Sequence, residues 1–249
     1  MFSRILFISA ALLLFTLLAR EGIEQYQKMN KISVILLTVE SLRQDMVRVD
    51  TTPNLLKVAE TGYRSLSHRA VSGWTGTNMI SLLTGLSPFE AGVHTRGQSV
   101  EQSINLPLEI LSERGYRVAG LHGFMTIDLY RNLGLDISDV GSDPMFWLTQ
   151  RGLDEEPFFL WEHYVHTHLP YRPGSGYVVV IDSMIKTEKA QKRVKTVIAS
   201  TIIPAGSINF KPEDIEAIHV LQKANIREFD DWFAGFWEFF NKSGLKSRC

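Results

Sequence analysis

An α/β fold, with a mixed, mainly parallel central sheet and helices on both of its faces, is what this sequence predicts. Three observations point there. Short apolar runs rich in β-branched and aromatic residues recur at 32–39, 116–121 and 157–161, the pattern of strands covered on both sides. Helical stretches with recognisable start and stop residues fall between and after them. Strands alternating with helices pack as one sheet between helical layers. The composition agrees: 249 residues, 45% hydrophobic and 21% charged, make a globular chain with enough material for a core that needs no staples.

The elements follow in order. Residues 5–18 run for fourteen positions without a charge behind Arg4. That is an export-signal core in length, or, stretched by its neighbours, a membrane anchor. Residues 1–20 are therefore expected to be a signal peptide or N-terminal membrane anchor, and 21–31 a polar connector. The chain beyond is then membrane-anchored or secreted, which in a bacterium means periplasmic. Residues 32–39 (Ile-Ser-Val-Ile-Leu-Leu-Thr-Val) read as a central strand. Thr51-Thr52-Pro53 opens a helix to about residue 62, with threonine as the cap and proline in the first turn. A short helix is expected over 77–83, stopped by Gly85, and another over 106–114, stopped by Gly115. Pro212-Glu213-Asp214 starts a long helix whose Ile226, Phe229, Phe233, Phe236 and Phe240 step by three and four, so that one face is apolar.

Charge and cysteine usage exclude several classes. With 26 basic and 27 acidic residues the net charge is −1, which gives no field for nucleic acid. The only cysteine is Cys249, so an intrachain disulfide and a cysteine–zinc cluster are both impossible. The basic run Lys186, Lys189, Lys192, Arg193 and Lys195 reads as a solvated face, or as a contact for an anionic polymer or lipid headgroup.

Chemistry in open α/β sheets collects at the carboxyl ends of strands. The first strand delivers Glu40 there, with Ser41, Arg43 and Asp45 behind it. An acid at a strand tip suits a hard divalent cation; it equally suits a salt bridge to Arg43. In Ser72-Gly73-Trp74-Thr75-Gly76-Thr77-Asn78, a glycine turn runs into a helix start, whose free N–H groups stabilise an oxyanion. Thr75 there is either a metal-activated nucleophile or a helix cap. Asn78, one turn on, is placed to donate its amide to a substrate oxygen. His163, His166 and His168 lie within six residues; 166 and 168 share a face if the segment is extended, and His163 reads as structural.

Several motifs in fixed order resemble the sulfatase family of the alkaline-phosphatase superfamily. They are Glu40-Ser41-Leu42-Arg43, Thr52-Pro53-Asn54-Leu55, Ser81-Leu82-Leu83-Thr84-Gly85 with Gly92-Val93-His94, and Gly115-Tyr116-Arg117. Pro157-Phe158-Phe159-Leu160 with His168-Leu169-Pro170-Tyr171, and Ile226-Arg227-Glu228-Phe229-Asp230-Asp231, continue the series. The resemblance implies that residues 32–249 are the N-terminal portion of a sulfatase-like catalytic domain. It implies an exported, metal-dependent ester hydrolase or transferase acting on a small-molecule, glycan or lipid-headgroup sulfate or phosphate ester. Thr75 and His168 would be catalytic, Asn78 and His166 would bind substrate, and Glu40 with Thr75 would ligate a divalent ion (Ca, Mn or Zn).

The departures from the family also carry information. Where sulfatases show two aspartates at the first strand tip, Glu40 and Ser41 stand here. The family's nucleophile is a cysteine or serine converted to formylglycine, and threonine is no precursor of it. Thr75-Gly76-Thr77-Asn78 instead resembles the threonine-nucleophile frame of the superfamily's phosphodiesterases. The chain stops where the family's last metal-ligand pair would follow, so the other expectation is a truncated, inactive, membrane-anchored remnant with a binding role.

Overall fold

The computed structural model describes residues 31–95, 98–102, 105–122, 130, 132–139, 143–151, 156–169, 171–174, 176–177 and 212–249. The signal or anchor segment 1–20 and the basic run 186–195 lie outside the described residues, as does nearly all of the connector.

Four strands form the described sheet: β1 (Val34–Val39), β2 (Arg117–His122), β3 (Ile137–Asp139) and β4 (Phe158–Tyr164). Their spatial order is β1-β4-β2-β3 and every pairing is parallel. The expected α/β fold is thus present, with the doubly covered parallel sheet that the apolar strands imply. One position differs from the sequence reading. β1 lies at the edge of the described sheet, and β4 is central. The reason is that apolar residues on both faces report what covers a strand above and below, not what pairs with its edges.

Successive side chains of a strand point to opposite faces, and two separate cores follow from this. On one face Leu36, Val118, Phe159 and Trp161 pack with Ile80 and Leu83 of α2 (Thr75–Thr84) and with Leu108 of α3 (Pro107–Glu113). On the other, Leu121, Phe158 and Leu160 meet Trp147 and Leu148 of α4 (Pro144–Arg151) and Phe236 and Phe240 of α5 (Pro212–Lys242). The three-four stepping of the last helix is therefore its buried stripe: Ile226, Phe229, Phe233, Phe236 and Phe240 are all buried. Gly244, at φ 77°, ends that helix in the left-handed conformation glycine adopts without strain.

Helix α1 (Pro53–Ala59) shows where local reasoning stops. Thr52 is its cap residue, yet its side chain makes no capping bond. The free backbone N–H groups of Asn54 and Leu55 donate instead to the Asp230 carboxylate of α5, at 3.0 and 2.9 Å, and the Asn54 amide adds a third bond at 2.9 Å. A fully buried acid 175 residues downstream caps this helix.

Candidate functional site

The site lies at the carboxyl end of β1. Glu40 is the first residue past the strand, and its backbone N–H donates to the Tyr164 carbonyl at 2.9 Å, holding it against the end of β4. Ser41 follows at φ 53°, in the left-handed region that costs a non-glycine residue on the order of 1 kcal/mol. This turn brings the Ser41 hydroxyl to 3.2 Å from Glu40 Oε1. Thr75 is the first residue of α2, two positions earlier than the helix start read from sequence. Its hydroxyl donates to the same Oε1 at 2.8 Å. The strand tip and the helix start, which sequence reasoning proposed separately, thus converge on one carboxylate oxygen.

The other carboxylate oxygen belongs to His163, whose Nε2 lies 3.1 Å from Glu40 Oε2. His163 is buried on β4, on the face that also carries Trp161. Its Nδ1 is 2.6 Å from Thr38 Oγ1, and that oxygen accepts the Trp161 indole N–H at 2.9 Å. An ionised Glu40 only accepts, so the imidazole presents its Nε2–H to it, while the Thr38 hydroxyl lies within reach of both Nδ1 and the Glu162 carbonyl, the latter at 3.3 Å. Trp161, Thr38, His163, Glu40 and Thr75 therefore form a continuous chain of hydrogen bonds. Burial alone would raise the Glu40 pKa, but the bonds from His163 and Thr75 outweigh it and hold the carboxyl below its ordinary value.

The remaining sequence candidates fall differently. Asn78 lines the cleft, but both its amide hydrogens are engaged, by the Ser72 and Trp74 carbonyls, and its oxygen accepts the Ser72 N–H at 3.1 Å. It ties down the turn ahead of Thr75. Asp45 points away into solvent, in a bidentate pair with Arg43 at 2.8 and 2.9 Å. β4 ends at Tyr164, so 166 and 168 sit in a turn and the strand alternation does not apply to them. His166 is exposed beside the Tyr164 ring. His168 is exposed, bonded to the Leu169 carbonyl, and its charge is felt at Glu40.

A cleft of about 510 Å³ opens over this constellation. Its wall includes Glu40, Ser41, Ser72, Gly73, Thr75 and His163, and also the segment 68–71, which the sequence reading passed over. His163 was nearest to being found from sequence: strand alternation puts it on the face of Trp161, but only the β1–β4 register brings it to Glu40. Among the described residues no group of three or more His, Cys, Asp or Glu side chains is placed to hold a metal. Three oxygen donors do meet, Glu40 Oε1 with the Thr75 and Ser41 hydroxyls, and that is one side of a site for a hard divalent cation.

Comparison with solved structures shows the same fold in a sulfatase-like protein, in a phosphonate monoester hydrolase and in a protein of the alkaline phosphatase superfamily. The chain is similar to BT4656, solved in complex with its substrate D-glucosamine-2-N,6-O-disulfate, at a TM-score of 0.63 and 12% identity over 87% of this chain and 63% of that one. It is similar to the phosphonate monoester hydrolase SpPMH from Silicibacter pomeroyi (TM-score 0.62, 12% identity, 86% of this chain and 60% of that one). It is also similar to the lipoteichoic acid synthase LtaP from Listeria monocytogenes (TM-score 0.56, 14% identity, 86% and 53%). The chain therefore spans between about half and two thirds of the length of these structures. No protein-family model and no curated protein matches the sequence.

Proposed function

We propose that the chain carries the nucleophile half of an exported ester hydrolase or transferase, with Thr75 attacking a phosphate or sulfate ester to give a covalent threonyl intermediate. The observation that carries this reading is the 2.8 Å bond from the Thr75 hydroxyl to Glu40 Oε1, at a helix N-terminus and in the wall of a cleft. Glu40 orients the hydroxyl and accepts its proton as the new bond to phosphorus or sulfur forms. Its low pKa makes it a weak base, so the free N–H groups at the start of α2 must share the charge developing on the threonine oxygen. A divalent ion of the Ca, Mn or Zn kind, held by Glu40, Thr75 and Ser41, would supply Lewis acidity to that oxygen. His168, exposed and electrostatically coupled to Glu40, is the candidate proton donor to the leaving group. Water, or an acceptor alcohol, resolves the intermediate. Export rests on the fourteen uncharged residues behind Arg4.

The residue at position 75 favours phosphorus over sulfur. A sulfothreonine needs a second attack at sulfur to turn over, whereas a phosphothreonine is released by in-line displacement at phosphorus. The test is turnover of matched aryl phosphate, phosphodiester and sulfate substrates with Mn²⁺ present. Phosphate esters or diesters are expected to turn over faster, with Thr75→Ala lowering the rate by about 10³-fold or more. Faster turnover of the aryl sulfate, with Thr75→Ala unchanged, overturns the proposal.

A further inference from the structure

The loop that walls one side of the cleft carries a pattern of its own. Residues 61–71, between α1 and α2, are all exposed. Tyr63, Leu66 and Val71 stand 94, 70 and 60% in solvent, and Leu82 of α2, 46% exposed, shares the cleft wall with Val71. Basic side chains are interleaved with them. Arg64, His68 and Arg69 are exposed, and none makes an ion pair or hydrogen bond among the described residues. Arg43 and Arg48, by contrast, are each committed to a bidentate aspartate two residues on. No acid interrupts the pattern: the chain has no aspartate or glutamate between Glu60 and Glu90. Exposed apolar side chains scattered singly need no explanation, but three on one short loop, with uncommitted guanidiniums and no carboxylate among them, mark an interaction surface.

We infer that loop 61–71 docks on an anionic lipid bilayer. Arg64 and Arg69 pair with lipid phosphates. Tyr63 lies at headgroup level, where an aromatic ring with a polar tip is favoured, and Leu66 and Val71 leave water for the acyl boundary. A soluble anionic polymer would pair with the same guanidiniums but leave the three apolar side chains in water, so the lipid surface is the fuller match. Residues 68–71 belong both to this loop and to the cleft wall, and docking therefore brings the mouth of the cleft to the headgroups. The inference rests on the loop alone and holds whether or not Thr75 is a nucleophile.

A polarity-sensitive fluorophore within the loop tests this in the full chain. It is attached through Ser67→Cys, in a Cys249→Ser background that removes the only other thiol. Saturating vesicles of phosphatidylglycerol are expected to shift its emission to the blue and to open it to quenchers carried on the lipid chains. Vesicles of phosphatidylcholine, and phosphatidylglycerol in about 0.5 M salt, should give a much weaker response. The label reports the loop locally, so membrane contact made by residues 1–20 does not enter the reading. Arg64→Gln and Arg69→Gln should each lower the ratio of lipid-quenched to unquenched label about 5-fold. Tyr63→Ser with Leu66→Ser should abolish the blue shift. Thr75→Ala should dock like the parent, so a failure of the nucleophile reading leaves this result visible. No response to phosphatidylglycerol, or one unchanged by Tyr63→Ser with Leu66→Ser, overturns the inference. A response to dextran sulfate but not to vesicles overturns it in favour of an anionic polymer.

Discussion

At Glu40 each carboxylate oxygen has its own set of partners: Thr75 and Ser41 share Oε1, and His163 holds Oε2. This division makes the orientation of Glu40 depend on the His163 imidazole. His163 is accordingly a positioning residue. Calorimetric titration of Mn²⁺ should show binding abolished in Glu40→Gln and weakened about 10–100-fold in His163→Gln, the usual cost of losing a group that orients a ligand. Thr38→Val, which removes the hydroxyl behind His163, should lie between His163→Gln and wild type. Equal affinity of wild type and Glu40→Gln would dismiss the carboxylate as a ligand. From sequence, Glu40 and Thr75 were legible because each sits at a place where backbone geometry makes chemistry: a strand tip and a helix start. The contact of His163 with Glu40 was not. The role of a buried histidine depends on strand register, which is not encoded in local spacing.

The same contrast holds for elements. The start of α2 was legible to within two residues, and the buried stripe of α5 was legible in full, because a repeat of three and four is a property of the sequence itself. The capping of α1 was not, since its acceptor arrives from α5. Asp230 is fully buried and satisfies three donors of Asn54 and Leu55. Asp230→Ala leaves two backbone N–H groups without an acceptor and is expected to destabilise the fold by about 3 kcal/mol, read from a urea midpoint. Thr52→Ala should cost about 1 kcal/mol, because its buried hydroxyl makes no capping bond and only a 3.3 Å bond to the Arg48 carbonyl is lost. Equal effects of the two variants would return the cap to the threonine. The motif Ile226 to Asp231 thus owes its presence, at least in part, to fastening a helix near the site rather than to chemistry.

Across the whole molecule, one buried acid sets a pH dependence. Glu162 sits on β4 with 8% of its surface exposed, and burial, with the Asp143 charge adding to it, pushes its pKa up to about 8 from an ordinary 4.5. The folded state therefore retains a proton that the unfolded chain gives up. Stability is full below about pH 4.5 and falls as the pH rises towards about 8, by at most ~1.4 kcal/mol per pH unit. Glu40, with its lowered pKa, acts oppositely: what it contributes is present above its unfolded value and is lost in acid. Urea midpoints measured from pH 5 to 8 should decline for wild type and flatten in Glu162→Gln. A decline of the same slope in the variant would remove Glu162 as the cause. The sheet order has a further consequence, in time rather than energy. β1 pairs only with β4 among the described strands, and Thr38 meets a histidine 125 residues later. At ~5–20 residues per second on the ribosome, roughly 6–25 s pass between synthesis of the first strand and of its partner. Throughout that interval Glu40 has no His163 and β1 lacks the strand it pairs with among the described strands, so the nascent chain presents an apolar ribbon and no trace of the Glu40 constellation. Pauses in translation between β1 and β4, rather than before β1, are what lengthen this exposed interval.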